Sequence, residues 1–195
     1  MAKKRVSIAG AGLSGLTLGI ALAQRGWDVQ IFERSSELRE IGAGLYLWEN
    51  GLKVLESIDV FDEVCQNVEF IQSLNMMDET QDVLHSTVFT EENRFCVIPR
   101  KEIHSALVRK AQELGVRIET DACVISAASS GTITLANREI VEADLVVAAD
   151  GINSRIRNSI HIECTVEKVS NGALRALIPK TDADEIGIAM EHWNG

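Results

Sequence analysis

Three glycines near the start of the chain have a spacing that suits the binding of a pyrophosphate. Gly10, Gly12 and Gly15 form the pattern G-x-G-x-x-G directly after the strand-like residues 6–9. The first glycine permits a tight turn, the second lets a pyrophosphate approach the backbone, and the third lets a helix pack closely on a strand. The N–H groups at the start of that helix attract negative charge. The pattern therefore predicts a phosphate-binding turn.

One acidic residue extends this pattern. Glu33 follows a second apolar segment, residues 29–32, at close to the spacing of about 20 residues at which a carboxylate meets a ribose hydroxyl. The elements that position these residues are a strand, a helix from about residue 14 to residue 26, and a second strand that ends on Glu33. A lone glycine triplet also fits an ordinary turn. The complete unit instead predicts a dinucleotide site at the opening of an α/β, Rossmann-like domain with a parallel sheet.

Composition and charge exclude several classes of function. The chain is 46% apolar and 25% charged, as is typical of globular proteins. With 19 basic and 29 acidic residues, its net charge of −10 would repel nucleic acid and anionic membrane surfaces. The uncharged residues 6–23 resemble a signal peptide, but the glycines of the G-x-G-x-x-G pattern interrupt them. We therefore expect a cytoplasmic protein with no nucleic-acid or membrane partner.

The cysteines and histidines suggest no metal or nucleophile chemistry. Four cysteines are singly placed without C-x-x-C spacing, which predicts reduced thiols and no metal site: Cys65, Cys96, Cys123 and Cys164. Three histidines are isolated, and we expect them to be surface or hydrogen-bonded core residues: His85, His104 and His192.

Later segments predict a second domain inserted into the first. Residues 40–51 are interpreted as a glycine-bearing loop leading into a helix, and residues 68–97 change to short alternating runs typical of antiparallel strands. A helix is predicted from Pro99-Arg100 to Gly115, followed by strands and a hairpin around residues 136–138. After residue 161, strands of the antiparallel sheet are predicted to resume.

A second motif follows the last strand of the first domain. Residues 143–149 are predicted to form a buried strand, and the motif Asp150-Gly151-x-x-Ser154-x-x-Arg157 follows it and is predicted to open a helix. This motif resembles the D-G motif of single-component flavoprotein aromatic hydroxylases, the p-hydroxybenzoate hydroxylase type.

Three further signals support the resemblance and occur in the order found in that family. They are the G-x-G-x-x-G pattern with Glu33-Arg34, the Gly42-Ala43-Gly44 loop with Asn50, and Arg100 within Pro-Arg-x-x-x-His-x-x-Leu. The resemblance implies an FAD site, with NADH or NADPH as co-substrate.

The resemblance also implies a role for individual residues around FAD. Gly10, Gly12 and Gly15 would hold the pyrophosphate, Glu33 the adenosine ribose, and Arg34 would lie against the adenine. The remaining implied contacts are Arg100 to the phosphate or ribityl region, backbone at Val124 to the adenine, and Asp150 and Gly151 near the pyrophosphate. No catalytic residue is identified.

These implications divide the chain into four segments. Residues 1–67 and 98–161 would form the FAD-binding domain, residues 68–97 would be inserted strands of the substrate domain, and residues 162–195 would begin its sheet again. The family has a further G-D motif and more substrate domain than this chain contains. We therefore expect a truncated or half-length form, with a homodimer or a partner that supplies the C-terminal half.

Three functions are consistent with the sequence. The resemblance implies an FAD-dependent monooxygenase that uses NAD(P)H and O2 to hydroxylate a small aromatic or N-heteroaromatic compound. A non-catalytic FAD- or nucleotide-binding module is the alternative. An NAD-dependent dehydrogenase fits the G-x-G-x-x-G pattern with Glu33 but leaves Asp150-Gly151 and the Arg100 segment unexplained.

Overall fold

The computed structural model describes residues 2–39, 42–160, 164–167, 170, 172, 174–179, 181 and 186–193. The chain divides into two compact units, a first unit of Met1–Ile41 and Ile103–Ala173 and a second unit of Gly42–Glu102 and Leu174–Gly195. The elements are, in chain order, β1 (Arg5–Ala9), α1 (Leu13–Gln24), β2 (Asp28–Phe32), β3 (Gly44–Trp48), α2 (Glu49–Ser57), α3 (Phe61–Cys65), β4 (Ser73–Met77), β5 (Val83–Val88), β6 (Phe95–Pro99), α4 (Arg100–Glu113), β7 (Arg117–Glu119), β8 (Val124–Ala128), β9 (Thr132–Leu135), β10 (Ile140–Glu142), β11 (Leu145–Ala148), a 3-10 turn (Ile156–Ser159) and β12 (Ile188–His192).

A parallel sheet forms the centre of the first unit. Its strand order is β11-β1-β2-β7, and every neighbouring pair is parallel. Val6 and Ile8 of β1 are buried, as are Leu16 and Ile20 of α1. Burial of these branched apolar side chains supplies the main favourable free energy for packing the helix on the sheet. The predicted Rossmann-like fold with a parallel sheet is confirmed.

A small antiparallel sheet completes the first unit. Its order is β10-β9-β8, and the predicted hairpin corresponds to β9 and β10. One buried cluster joins this sheet to the end of β2 and to the 3-10 turn: Ala9, Phe32, Ala122, Val124, Ile133, Leu135 and Ile156. This cluster fixes the end of β2, the strand that Glu33 follows.

Two further sheets form the second unit. β4 pairs antiparallel with β5, and β12 adds to β4 in the parallel direction. β3 and β6 form a separate antiparallel pair. On this pair, the rings of Trp48 and Phe95 lie 4.5 Å apart between centroids, and Phe89 stacks on Phe95 at 4.9 Å. Phe89 and Phe95 are buried and form the core of the β3/β6 region, whereas Trp48 packs on Phe95 from the exposed side.

Several segments differ from the sequence predictions. Residues 44–48, interpreted as loop, form β3, whose partner β6 lies far along the chain and leaves no local signal. The first inserted strand begins at Ser73 rather than at residue 69. The described residues of 172–178 contain no strand, and several residues of the predicted C-terminal sheet lie outside the described part of the chain.

The region around Asp150 also differs. β11 was predicted to be buried, but it lies at one edge of the described parallel sheet, and Leu145 is exposed. After it comes a 3-10 turn of 4 residues rather than an α-helix. The Asp150 carboxylate accepts hydrogen bonds from the backbone N–H groups of Arg155 and Ile156, where this turn begins. Among the described helices, none combines the length and the apolar composition needed to cross a bilayer.

Candidate nucleotide-binding site

A cavity of about 340 Å³ opens where three parallel strands of the first unit end. β1 ends at Ala9, β2 ends at Phe32, and β11 ends just before Ala149. In open α/β sheets, ligands bind at the carboxyl ends of the strands. The cavity is lined by Ala9, Gly10, Ala11, Gly12, Phe32, Glu33, Arg34, Ser35, Glu37, Leu38, Arg39, His104, Cys123, Val124, Ala149, Asp150, Gly151, Asn153 and Arg155.

The turn after β1 requires glycine at its first position. Gly10 has a φ of 102°, in the region that favours glycine, and its N–H donates to the carbonyl of Phe32 at 2.8 Å. A Cβ at this position would lie 2.3 Å from the carbonyl oxygen of Ala149. Any side chain at Gly10 would therefore push β1 and the Ala149–Asp150 segment apart.

The third glycine lets α1 approach the turn. A Cβ on Gly15 would lie 2.0 Å from the carbonyl oxygen of Gly10. Gly12 precedes the helix in extended conformation and has no side chain with which to cap it. Because the first N–H groups of a helix have no acceptor within the helix, the start of α1 can accept an anion.

Glu33 is bound to the same turn. Its Oε2 accepts a hydrogen bond from the Ala11 N–H at 2.8 Å, and its Oε1 accepts one from the Ser35 N–H at 2.9 Å. Partial burial alone would raise the pKa of this carboxyl group, but the two backbone donors and nearby Arg34 leave the pKa below its ordinary value. Glu33 is therefore ionised at neutral pH, and it lines the cavity.

Asp150 and Gly151 line the cavity where β11 ends. The Asp150 Oδ2 accepts hydrogen bonds from the N–H groups of Arg155 at 2.8 Å and Ile156 at 3.4 Å. Gly151 has a φ of 82°, which turns the chain away from β11. The Asp150 carboxylate therefore shapes the turn that follows β11.

The other predicted site residues fall into two groups. Arg34 is exposed and Val124 is buried, and both line the cavity. Arg100 begins α4 and belongs to the second unit, where its N–H donates to the carbonyl of Ala43 at 3.2 Å. The roles assigned to all these residues remain predictions.

Two residues that sequence reasoning did not select also define the site. Ala11 supplies the N–H that binds Glu33, and its carbonyl oxygen lies 2.9 Å from Nε2 of His104. His104 is buried, so the ring is a hydrogen-bonded core residue that reaches the turn. Its only sequence signal was its place within Pro-Arg-x-x-x-His, in line with the apolar stripe of α4.

The cavity fits the nucleotide end of FAD. Its volume lies within the range of about 300–1,000 Å³ that is usual for small-molecule sites. At Gly10 and Gly15 a Cβ would clash with the turn itself, and the start of α1 offers donors for a pyrophosphate. The Glu33 carboxylate provides an acceptor for hydroxyl groups.

Comparison with known proteins identifies the family. The FAD binding domain model matches residues 3–188. The chain belongs to the FAD-binding monooxygenase family. Within this family, it is 31% identical over 201 residues to a probable 2-heptyl-3-hydroxy-4(1H)-quinolone synthase from Rhodococcus erythropolis, covering 100% of this chain and 52% of that protein.

Two more family members add to the comparison. The chain is 26% identical over 199 residues to 3-hydroxybenzoate 6-hydroxylase from Polaromonas naphthalenivorans, covering 92% of this chain and 48% of that protein. A tetrameric form of 2-methyl-3-hydroxypyridine-5-carboxylic acid oxygenase is 40% identical, with a TM-score of 0.77 over 82% of this chain and 42% of that one. The chain spans about half the length of the curated relatives it matches.

Proposed function

We propose that this protein is an FAD-dependent monooxygenase that uses NADH or NADPH and O2 to hydroxylate a small aromatic or N-heteroaromatic compound. The observation that carries the proposal is the cavity in which the glycine turn, the start of α1 and the Glu33 carboxylate meet. Family membership supports FAD as the nucleotide, and relatives named for quinolone, pyridine and hydroxybenzoate chemistry support the substrate class.

In this proposal, the chain's own residues bind and orient the cofactor. Gly10, Gly12 and Gly15 leave room for the pyrophosphate, and the N–H groups of Gly12 and of the start of α1 would donate to it. The other proposed contacts are Glu33 to the adenosine ribose, Arg34 and the Val124 backbone to the adenine, Asp150 and Gly151 near the pyrophosphate, and Arg100 to the phosphate or ribityl region. The chemistry supplied by bound FAD is hydride acceptance from the nicotinamide and activation of oxygen.

The proposal assigns FAD binding and substrate binding to different segments of the chain. Residues 1–67 and 98–161 would bind FAD, and residues 68–97 and 162–195 would contribute to the substrate domain. The names of two relatives contain nitrogen heterocycles, a quinolone and a hydroxypyridine, which favours an N-heteroaromatic substrate. A tetrameric relative favours self-association, so the assembly would be measured together with activity.

A non-catalytic nucleotide-binding module is the second candidate. The supporting observation is that every residue lining the cavity belongs to the first unit. That unit alone could hold the adenosine diphosphate part of FAD without any contribution to hydroxylation.

Spectroscopy and turnover distinguish the two candidates. The purified full chain would be examined for a flavin spectrum and titrated with FAD and with ADP. Oxidation of NADH and of NADPH would then be followed with a hydroxypyridine carboxylic acid, 3-hydroxybenzoate and a 4(1H)-quinolone.

The outcomes separate the proposals clearly. A monooxygenase binds FAD and oxidises one nicotinamide nucleotide faster with a ring compound, and oxygen from labelled O2 appears in the product. A nucleotide-binding module binds FAD or ADP but transfers no oxygen. A chain that binds neither ligand would refute both candidates.

A further inference from the structure

We propose that His104 is a positioning residue for the phosphate-binding turn, an inference that rests on the proposed function. The geometry that carries it is the contact between Nε2 of His104 and the carbonyl oxygen of Ala11 at 2.9 Å. Through this bond, the imidazole sets the direction of the Ala11–Gly12 peptide. Gly12 is the residue whose N–H the proposed function assigns to the pyrophosphate.

The chemistry of the contact defines the state of the ring. A carbonyl oxygen only accepts hydrogen bonds, so Nε2 of His104 must carry the proton and donate it. The ring is buried, with 4% of its surface exposed. A buried carbonyl that loses its donor costs free energy, so the bond favours one orientation of the peptide.

Planarity of the peptide transmits this preference to Gly12. In a trans peptide, the C=O of one residue and the N–H of the next lie in one plane and point in opposite directions. With the Ala11 C=O directed at His104, the Gly12 N–H is directed away from the imidazole. A rotated peptide would instead turn the negative end of the C=O dipole, rather than the N–H, toward an anion.

The backbone groups on either side of the Ala11–Gly12 peptide are also hydrogen-bonded. The Ala11 N–H donates to Glu33, and the Gly12 carbonyl accepts from the Leu16 N–H at 3.0 Å. These two bonds act on the neighbouring groups, whereas His104 binds the carbonyl of the Ala11–Gly12 peptide itself. His104 thus restrains a peptide whose rotation would turn a C=O group, rather than an N–H group, toward the anion.

Substitutions of His104 test this role through ligand affinity. His104→Leu retains an apolar side chain but has no donor, whereas His104→Gln presents an amide N–H at a similar distance from the backbone. We expect affinity for ADP and FAD to fall about tenfold in His104→Leu, the effect of losing one buried hydrogen bond. His104→Gln should recover most of it, and the exposed His85→Leu should match the wild type.

Adenosine separates positioning from a loss of folding. It lacks phosphate, so it should bind wild type and His104→Leu alike, and its affinity would be measured by competition in the same assay. An equal loss for adenosine and ADP, or unchanged ADP affinity in His104→Leu, would overturn the proposal. Wild-type protein that binds neither ADP nor FAD would instead refute the proposed function, and this inference with it.

The tautomer of the ring is a second, independent readout on the unmodified protein. A long-range proton–nitrogen NMR spectrum of the imidazole should show a proton on Nε2 of His104. An imidazole protonated on Nδ1 alone would contradict the hydrogen bond, and this holds even if His104→Leu fails to fold.

Discussion

Two glutamates, one in each unit, have a lowered pKa for different reasons. In the first unit, the Glu33 carboxylate is held by two backbone N–H groups at the edge of a cavity. In the second unit, Glu49 forms a bidentate pair with Arg94, at 2.8 Å to Nε and 2.9 Å to Nη2. Arg94 also contacts Glu56 at 2.8 Å.

This contrast distinguishes a site from a structural ion pair. The Glu49 pair ties the start of α2 to the segment before β6, and both side chains are partly buried with their bonding capacity largely used. The Glu33 carboxylate faces a cavity and is bound by the backbone N–H groups of Ala11 and Ser35 and by the Ser35 side chain. A lowered pKa by itself therefore does not mark a carboxylate as a candidate ligand-binding group, whereas a cavity beside the carboxylate does.

Substitution of Gly15 should have the largest effect on the first unit. In Gly15→Ala the new Cβ would overlap the Gly10 carbonyl, which is backbone and cannot move without disturbing the turn. We expect ADP affinity to fall about 100-fold, equivalent to about 3 kcal/mol. Calorimetric titration of ADP measures it. Gly172→Ala is the matched control, since a Cβ there meets no atom within 4 Å; equal affinities for the two variants would disprove the role of the turn.

Neutralising Glu33 should weaken nucleotide binding less strongly. Glu33→Gln keeps the shape of the side chain but replaces one acceptor oxygen with a donor, so either Ala11 or Ser35 loses its partner. We expect a loss of about tenfold in ADP affinity, the usual effect of losing a hydrogen bond to a charged group. Glu37→Gln alters another carboxylate of the same cavity and should change affinity much less. A larger loss of ADP affinity in Glu37→Gln than in Glu33→Gln would argue against Glu33 as the ribose ligand.

Removal of Arg94 should affect stability without affecting the cavity. Arg94→Met leaves Glu49 and Glu56 without this shared cation, and we expect the unfolding temperature to fall by about 2–4 °C. ADP affinity should be unchanged. Lys53→Met, which removes a more exposed cation 3.7 Å from Glu49, is the control with a smaller expected shift. A loss of ADP binding in Arg94→Met would show that the comparison between the two carboxylates is wrong.

The Glu49 ion pair should also affect the response to acid. The Arg94 side chain lowers the pKa of Glu49 from 4.5 to about 2. Its contribution to stability is therefore present above about pH 4.5 and is lost as the pH falls toward about 2. Thermal unfolding across this interval should vary less with pH in Glu49→Gln than in wild type. Glu113→Gln removes an exposed carboxylate at the end of α4 and should show the same change of unfolding temperature with pH as the wild type. The same pH dependence in all three proteins would contradict this assignment.

Local patterns predicted those parts of the molecule that local chemistry determines. Gly10 and Gly15 were identified because a positive φ at Gly10 and close backbone contacts at both positions restrict them to glycine. The boundaries of α1 and α4 followed from helical spacing that ends at glycine. The acidic end of β2 was located by its distance along the chain from the turn.

What the sequence did not predict depends on partners far along the chain. The strand β3 is defined by its pairing with β6. The contact between His104 and Ala11 requires α4 to be placed against the turn, across 93 residues of sequence. No spacing rule within a single segment contains that information.

Pairing of β1 with β11 has a consequence for the order of folding. Arg5 N–H donates to the Asp144 carboxylate across 139 residues of sequence, and Ala149 closes against Gly10. Contacts between such distant residues form slowly, because a long loop must close first. We therefore expect the segment that contains Asp150 to join the glycine turn late in folding. Nucleotide added during refolding should raise the final yield of native protein by mass action without accelerating its appearance.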